Sequence, residues 1–316
     1  MFEKIIEGVR AHDVIVVHRH ANPDGDALGA QIGLAALLRE NFPGKRVYTV
    51  GDKAGRYAFM EGSEMDEIDD GLYEGAFALV LDTASKALVS DLRFEKAALT
   101  ARIDHHIYCE TFTDIEIVDP SFESCCGMIA ELAREQGLKL SKTSAAAIFT
   151  GMVTDSGRFR YDSVNPRTFY LAGRLLETGF DASAIYKKLY SEELANVKRR
   201  AAFLQKITMY KDAPVAYIYN TEEEVKTLGM DVFSVSRGMV NVMSDIRGID
   251  VWVNFTEDGG KVLCELRSSV YNINPVAVKY GGGGHKKASG ATVENRDAAM
   301  AMLEDLKKLT EEKDEF

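Results

Sequence analysis

The sequence predicts an α/β protein of two domains, and three observations carry that prediction. In the first half, short β-rich runs alternate with helical patterns, the order expected of a mainly parallel sheet with flanking helices. Past residue 213 the pattern changes to strands, one hairpin and a closing helix. A chain of 316 residues is also long for one hydrophobic core and fits two comfortably. The expected division is 1–188 for the first domain, 189–212 for a helical linker and 213–316 for a smaller α/β domain.

Taken in order, Asp13 to Val17 reads as a buried strand, and Leu28 to Asn41 as a helix of small and apolar residues stopped by Pro43-Gly44. Lys45 to Val50 is a second strand, Phe77 to Leu81 a third, and Ile115 to Val118 a later one. Helices are expected over Cys125–Gln136, Thr143–Val153 and Pro166–Thr178. From Tyr186 to Tyr210 the pattern is charged and helical, with Lys198-Arg199-Arg200 facing water, and is read as one helix linking the domains or closing the first. The second domain opens on the strand Val215–Tyr219 and continues with helices near Glu222 and over Val232–Met243. Strands Asp250–Phe255 and Lys261–Arg267 flank the hairpin signal Glu257-Asp258-Gly259-Gly260. A helix from Arg296 to about Lys308 and a solvated tail from Glu311 to Phe316 complete the chain.

Composition narrows the function. With 46% hydrophobic and 28% charged residues the chain reads as globular. Runs such as Val14–Val17 and Ala78–Leu81 are far too short to span a bilayer. Met1-Phe2-Glu3-Lys4 opens no secretory signal, so the cytoplasm is the expected location. Cys109, Cys125, Cys126 and Cys264 form no C-x-x-C pair and are read as reduced, without thiolate-bound zinc. A net charge of −11 argues against clamping long duplex DNA, but leaves small nucleotides open if bound cations supply positive charge.

Four clusters of metal-type ligands fall in the first half. His18-Arg19-His20-Ala21-Asn22-Pro23-Asp24-Gly25-Asp26 follows a strand and precedes a helix, where open α/β sheets bind ligands. One aspartate would suffice to cap that helix; His20, Asp24 and Asp26 together exceed what capping needs. Asp82 ends the third strand, as a cap or as a ligand at the same sheet edge. Asp104-His105-His106 pairs an aspartate able to orient an imidazole with two histidines that point in different directions. Asp155 lies in Thr154-Asp155-Ser156-Gly157-Arg158-Phe159, at a helix end. Oxygen and imidazole donors without thiolate suit manganese, magnesium, iron or cobalt. So many carboxylates would repel one another unless cations lay between them, which argues for two ions.

These residues, in this order, resemble the DHH phosphoesterase family, named for the triplet seen here as Asp104-His105-His106. The second half resembles its DHHA1 partner domain through Arg267-Ser268 and the run Gly281-Gly282-Gly283-Gly284-His285-Lys286-Lys287-Ala288-Ser289-Gly290. The resemblance covers nearly the whole chain and is nearest the nano-RNase and pAp-phosphatase branch, with its stand-alone cyclic-dinucleotide-degrading relatives. It implies a catalytic first domain, a substrate-binding second domain and a homodimer. It further implies one ion on His20 and Asp24, another on Asp26, His105 and Asp155, and Asp82 between them. Asp104 would orient the site, His106 would meet the substrate phosphate, and His18 would serve packing or support. Two-metal chemistry would then activate water for in-line attack on phosphorus, with manganese the expected ion and magnesium, cobalt or iron as alternatives.

Glycines 282, 283 and 284 expose backbone amides as an anion nest, or form a flexible linker; their place inside an ordered pattern favours the nest. Arg267 and His285 are expected to grip the substrate's terminal phosphate or base. Arg158 is read as a phosphate contact or an exposed helix-end residue. The expected substrates are short RNA, pAp, and linear or cyclic dinucleotides. An inorganic pyrophosphatase and a non-catalytic nucleotide-binding protein are the competing readings, the first disfavoured by the glycine-rich second domain and the second by a full ligand set.

Overall fold

The computed structural model describes residues 1–311; residues 312–316, most of the expected tail, lie outside it. The chain divides into two compact units between Ser191 and Glu192.

The first unit runs α1 (Glu3–Ala11), β1 (Val14–Arg19), α2 (Gly25–Asn41), β2 (Arg46–Thr49), β3 (Ala76–Leu81), β4 (Leu99–Asp104), β5 (Ile115–Val118), α3 (Cys125–Glu135), α4 (Lys142–Asp155), α5 (Pro166–Leu176) and α6 (Ala182–Tyr190). Its five strands are all parallel, in the order β2-β1-β3-β4-β5. That order puts the topological switch point between β1 and β3, where open sheets place their ligands. Every residue of β1 and β3 is buried, as expected of central parallel strands. All six helices feed one core against Ile15, Val17, Phe77, Leu79, Ala101 and Ile103. The opposite face, with Val14, Val16, Ala78 and Val80, is covered by Tyr73, Phe94 and their short turns rather than by helices.

Helices α2 and α4 approach closely because glycines remove side chains between them. A Cβ on Gly25 would lie 2.4 Å from Thr154 Oγ1, one on Gly29 2.6 Å from the Ala147 carbonyl oxygen, and one on Gly33 2.5 Å from Ile148 Cγ1. The spacing of four puts these glycines on one stripe of α2. The crossing brings the start of α2, with Asp26, to the end of α4, with Asp155.

The second unit holds α7 (Leu194–Leu204), β6 (Thr208–Met209), β7 (Val215–Asn220), α8 (Glu222–Leu228), β8 (Val251–Asp258), β9 (Lys261–Ser268), α9 (Asn274–Lys279), β10 (Gly283–His285), β11 (Ala288–Val293) and α10 (Arg296–Glu311). Its mixed sheet has the order β10-β11-β9-β8-β7-β6. The hairpin between β8 and β9 turns on Gly259 and Gly260, whose φ of 56° and 80° suit a two-residue turn with both central residues left-handed.

Two expected helices differ. Tyr186–Tyr210 is not continuous: the chain leaves the helix at Ser191 and restarts at Leu194. Glu192 and Glu193 then precede a new helix N-terminus, where carboxylates are favoured, and Arg200 bonds back to Glu192. Phe203 at the end of α7 packs into the second unit's core. Val232–Met243 forms only short helical turns, Ser234–Gly238 and Val240–Met243. Buried Asn254 donates to the carbonyls of Val235 and Ser236, both at 2.7 Å, drawing them out of regular helix bonding. Among the described residues no helix is long and apolar enough to cross a membrane.

Candidate active site

The four clusters meet at the carboxyl edge of the first sheet. Three groupings have ligand atoms all within 4.8 Å of one another: His20, Asp24 and Asp82; Asp26, His105 and Asp155; and Asp82, His105 and His106. Asp82 joins them. Its Oδ2 lies 3.5 Å from His20 Nε2, and its Oδ1 lies 3.5 Å from His105 Nε2. His105 Nε2 also faces Asp155 Oδ2 at 3.4 Å and Asp26 Oδ2 at 3.7 Å.

Both imidazoles are oriented from behind. His20 Nδ1 is 2.8 Å from the Ala21 carbonyl and His105 Nδ1 is 3.4 Å from that of Phe122. A proton held on Nδ1 leaves the Nε2 lone pair for the carboxylate side, the tautomer of a metal-binding histidine. His106 differs: its Nδ1 bonds Asp104 Oδ1 at 2.7 Å, and that bond holds the imidazole above its ordinary pKa. Asp104, 1% exposed, anchors the His106 ring.

Two of the carboxylates are held by backbone amides. Asp24 is the N-cap of α2, its Oδ1 accepting from the amides of Asp26 at 2.9 Å and Ala27 at 3.0 Å. Capping and ligand geometry are therefore compatible in one residue. Asp26 accepts from two amides at the start of α3, Cys125 at 2.7 Å and Cys126 at 2.9 Å. Asp82 takes a left-handed φ of 49°, a strained backbone that turns its side chain at the strand end. Asp155 is the last residue of α4, where the helix dipole disfavours an acid.

These residues fit divalent cations. Asp82 Oδ1 is buried with no hydrogen-bond partner among the described residues, a costly state for a carboxylate oxygen. Most separations between Nε2 and carboxylate oxygens, at 3.4–3.8 Å, are long for hydrogen bonds. Burial, then Asp82, Asp155 and Asp24, pushes Asp26 well above the usual carboxylate range, and burial with Asp82 and Asp24 pushes Asp155 up to about 6. His20, against the cost of its burial, is raised to about 10 by Asp24 and Asp82. Excess negative charge at the rim raises these pKa values, and a divalent cation would relieve the same charge.

Two groups escape notice in the sequence. Arg19 and Arg102 are fully buried on β1 and β4. Arg19 donates to the carbonyls of His20, at 3.1 Å, and Asp52, and to Gln31 Oε1 at 2.8 Å. Gln31 in turn donates to the carbonyls of Val17 and Val50 at 2.6 and 2.9 Å. Arg102 pairs with Glu116 and donates to the carbonyls of Ala84 and Glu110, both at 3.0 Å. Each guanidinium thus ties together loops that carry the rim. The only signal in the sequence is position: a charged residue inside an apolar strand, one place before His20 in the case of Arg19 and three before His105 in the case of Arg102.

His18 is buried between Tyr73 and Phe94, ring centroids 5.7 and 6.0 Å away, and burial lowers its pKa to about 4. Arg158 is exposed with φ 64°, its guanidinium 3.8 Å over the Tyr190 ring. In the second unit, the second half of the glycine run, Gly283 and Gly284, is strand rather than open loop: β10 pairs antiparallel with β11. A Cβ on Gly282 would lie 2.0 Å from the Gly290 carbonyl oxygen, and one on Gly284 2.6 Å from that of Ala288. Close backbone approach therefore demands these glycines. Ala288 stands opposite both His285 and Arg267, so the three side chains share one face and the small one leaves a gap.

With the geometry in hand, comparison with known proteins gives matches along the whole chain. The DHH family N-terminal domain matches residues 14–152 and the DHHA1 domain residues 232–312. The bifunctional oligoribonuclease and PAP phosphatase NrnA of Bacillus subtilis is 34% identical over 315 residues, covering 99% of each chain. A probable bifunctional oligoribonuclease and PAP phosphatase NrnA of Streptococcus mutans is 33% identical over 94% of this chain and 96% of its own. The crystal structure of an exopolyphosphatase-related protein from Bacteroides fragilis superposes with a TM-score of 0.84 at 28% identity, over 98% of this chain and 97% of that one.

Proposed function

We propose, since this chain belongs to the DHH phosphoesterase family, that it hydrolyses short oligoribonucleotides, 3′-phosphoadenosine 5′-phosphate, and linear or cyclic dinucleotides to mononucleotides. It is a hydrolase, and its relatives in Bacillus and Streptococcus carry both the oligoribonuclease and the phosphatase in their names. The observation that carries the reading is Asp82, whose two oxygens each face a different histidine at 3.5 Å. A carboxylate so placed suits two ions, one on His20 and Asp24 and one on Asp26, His105 and Asp155. Manganese is the expected ion, with magnesium, cobalt or iron able to substitute.

Divalent ions bound there would polarise the phosphoryl oxygens and lower the pKa of water. The chain's own groups do the rest. His106, kept protonated by Asp104, donates to a phosphoryl oxygen as negative charge grows on it. Asp104 stays buried and fixes the ring. Arg267, His285 and the segment Gly282, Gly283 and Gly284 receive a phosphate or base of the substrate, and Arg158 lends charge from just past the end of α4. The acidic chain, at −11, is consistent with small substrates and against long duplex DNA.

The reading includes the cytoplasm as location, which suits four free cysteines. It also includes a homodimer through helices of the first unit. Support for the latter comes from Phe169, Tyr170 and Leu176 on α5, 59%, 54% and 45% exposed; sedimentation of a monomer at working concentrations would remove it.

The decisive experiment is a side-by-side panel with manganese: RNA of a few nucleotides, a long RNA strand, 3′-phosphoadenosine 5′-phosphate, cyclic and linear dinucleotides, and pyrophosphate. The highest kcat/KM is expected on short nucleotides. Equal release of mononucleotides from the long strand, or pyrophosphate as the best substrate, overturns the reading.

A further inference from the structure

Immediately after His106 the chain places two large side chains in water, Ile107 at 83% and Tyr108 at 53% exposure. Neither belongs to the groups that can hold ions. The segment that carries them is nonetheless firmly tied. Arg102, fully buried, lies 5.6 Å from the Tyr108 ring centroid and 4.6 Å from that of Phe112. Its guanidinium donates to the Glu110 carbonyl, Cys109 Sγ donates to the Ala84 carbonyl at 2.7 Å, and Glu110 Oε1 accepts from the Lys86 amide at 2.8 Å. The Tyr108 hydroxyl is hydrogen-bonded to that of Thr111. The loop after β4 is therefore fastened to the loop after Asp82, with one cation near the tyrosine ring and much of the side chain left to solvent.

Resting on the functional reading above, we infer that Tyr108 is a stacking platform for the nucleobase next to the scissile phosphate, with Ile107 widening its apolar edge. The ion-binding rim offers only carboxylates and imidazoles, which take the phosphate side of a nucleotide and give a base no apolar surface. Tyr108 stands two residues from His106, so their Cα atoms are at most about 7 Å apart, within reach of a nucleotide whose phosphate meets His106. Stacking accepts every base, because each has a π-face. It would let one site serve short RNA of any sequence. The hydroxyl's bond to Thr111 sets the ring angle and is not itself the contact.

The test compares wild-type protein with Tyr108→Ala, Tyr108→Phe and Tyr108→Trp, all loaded with manganese. The substrates are 3′-phosphoadenosine 5′-phosphate and ribose 3,5-bisphosphate, which keeps the phosphates and lacks the base. Tyr108→Ala is expected to raise KM for the nucleotide roughly tenfold with kcat nearly unchanged. Tyr108→Phe and Tyr108→Trp should restore KM, and none of the three should change turnover of the base-free compound. An unchanged KM in Tyr108→Ala, an equal loss on ribose bisphosphate, or no rescue by Phe and Trp overturns the inference while the hydrolase reading stands. Wild-type protein idle on every nucleotide overturns both.

Discussion

The two units hold their candidate functional groups in opposite ways. In the first, the ligand-type side chains sit at one sheet edge, and most are anchored: Asp24 and Asp26 by backbone amides, His20 and His105 through Nδ1, His106 by Asp104. Two buried arginines brace the loops beneath them. In the second, His285, Lys286 and Lys287 are exposed, beside or within a three-residue strand at the sheet's edge. Chemistry on a phosphoryl group needs its charges fixed to fractions of an ångström, whereas grip on a variable substrate tolerates slack. Changes in the first unit should therefore strike turnover, and changes in the second should strike affinity.

The largest effect expected is at Asp82. Asp82→Asn keeps the shape and removes the charge shared by the two histidines, so kcat should fall roughly 10³-fold with the melting temperature preserved. Steady-state kinetics and thermal melting check it. A variant that kept most of its turnover would break the contrast at its strongest point.

Next comes the support beneath the rim. Arg19→Met removes the donor to His20 and Asp52 carbonyls while keeping much of the volume. By analogy with groups that orient ligands, manganese affinity or activity should drop roughly 10–100-fold. Titration of manganese against activity reads it. If Arg19 were mere packing, stability would fall and the metal midpoint would stay in place.

Gly282→Ala tests the second unit's backbone. Its Cβ would meet the Gly290 carbonyl oxygen at 2.0 Å, and neither atom is the end of a flexible side chain. A loss of about 1–3 kcal/mol in unfolding free energy is expected, together with a raised KM. Manganese binding should be untouched, since the rim belongs to the other unit.

The same contrast explains what could be read from the sequence. The first unit's central strands and helices were legible because β1 opens on an apolar run and β3 is one throughout, and α3 to α5 begin at Ser124, Ser141 and Asn165, all capping residues. The ligand clusters were legible because each follows or ends such an element. Strand β4 was not: Thr100 and Arg102 look like a solvated alternation, yet Arg102 is buried to hold carbonyls. Helix α1 was missed too, a short amphipathic turn sequence without a side-chain N-cap. The glycine run suggested an open nest, since sequence shows that glycine frees the backbone but not that a facing strand needs the room. The break at Ser191 and the distortion around Ser236 depend on partners, Arg200 and Asn254, that only folding brings near.

The smallest effect expected, and the one that sharpens the contrast most, is at Arg267. Its Nη1 already donates to the Leu266 carbonyl at 2.8 Å and to Glu265 Oε2 at 3.2 Å, and among the described residues its other donors are unengaged. The bonds through Nη1 keep the guanidinium near the face shared with Ala288 and His285, and leave Nε and Nη2 to meet an anion. An anion contact there would treat ground state and transition state alike, because the phosphate or base it would hold is not the group reacting. Arg267→Ala should therefore raise KM by roughly tenfold and leave kcat near its wild-type value. Arg267→Lys should recover only part, since an ammonium keeps the charge but not the paired donors. A fall in kcat equal to the fall in kcat/KM would mean that the second unit's arginine acts on the developing charge itself, and the division of labour between the units would have to be redrawn.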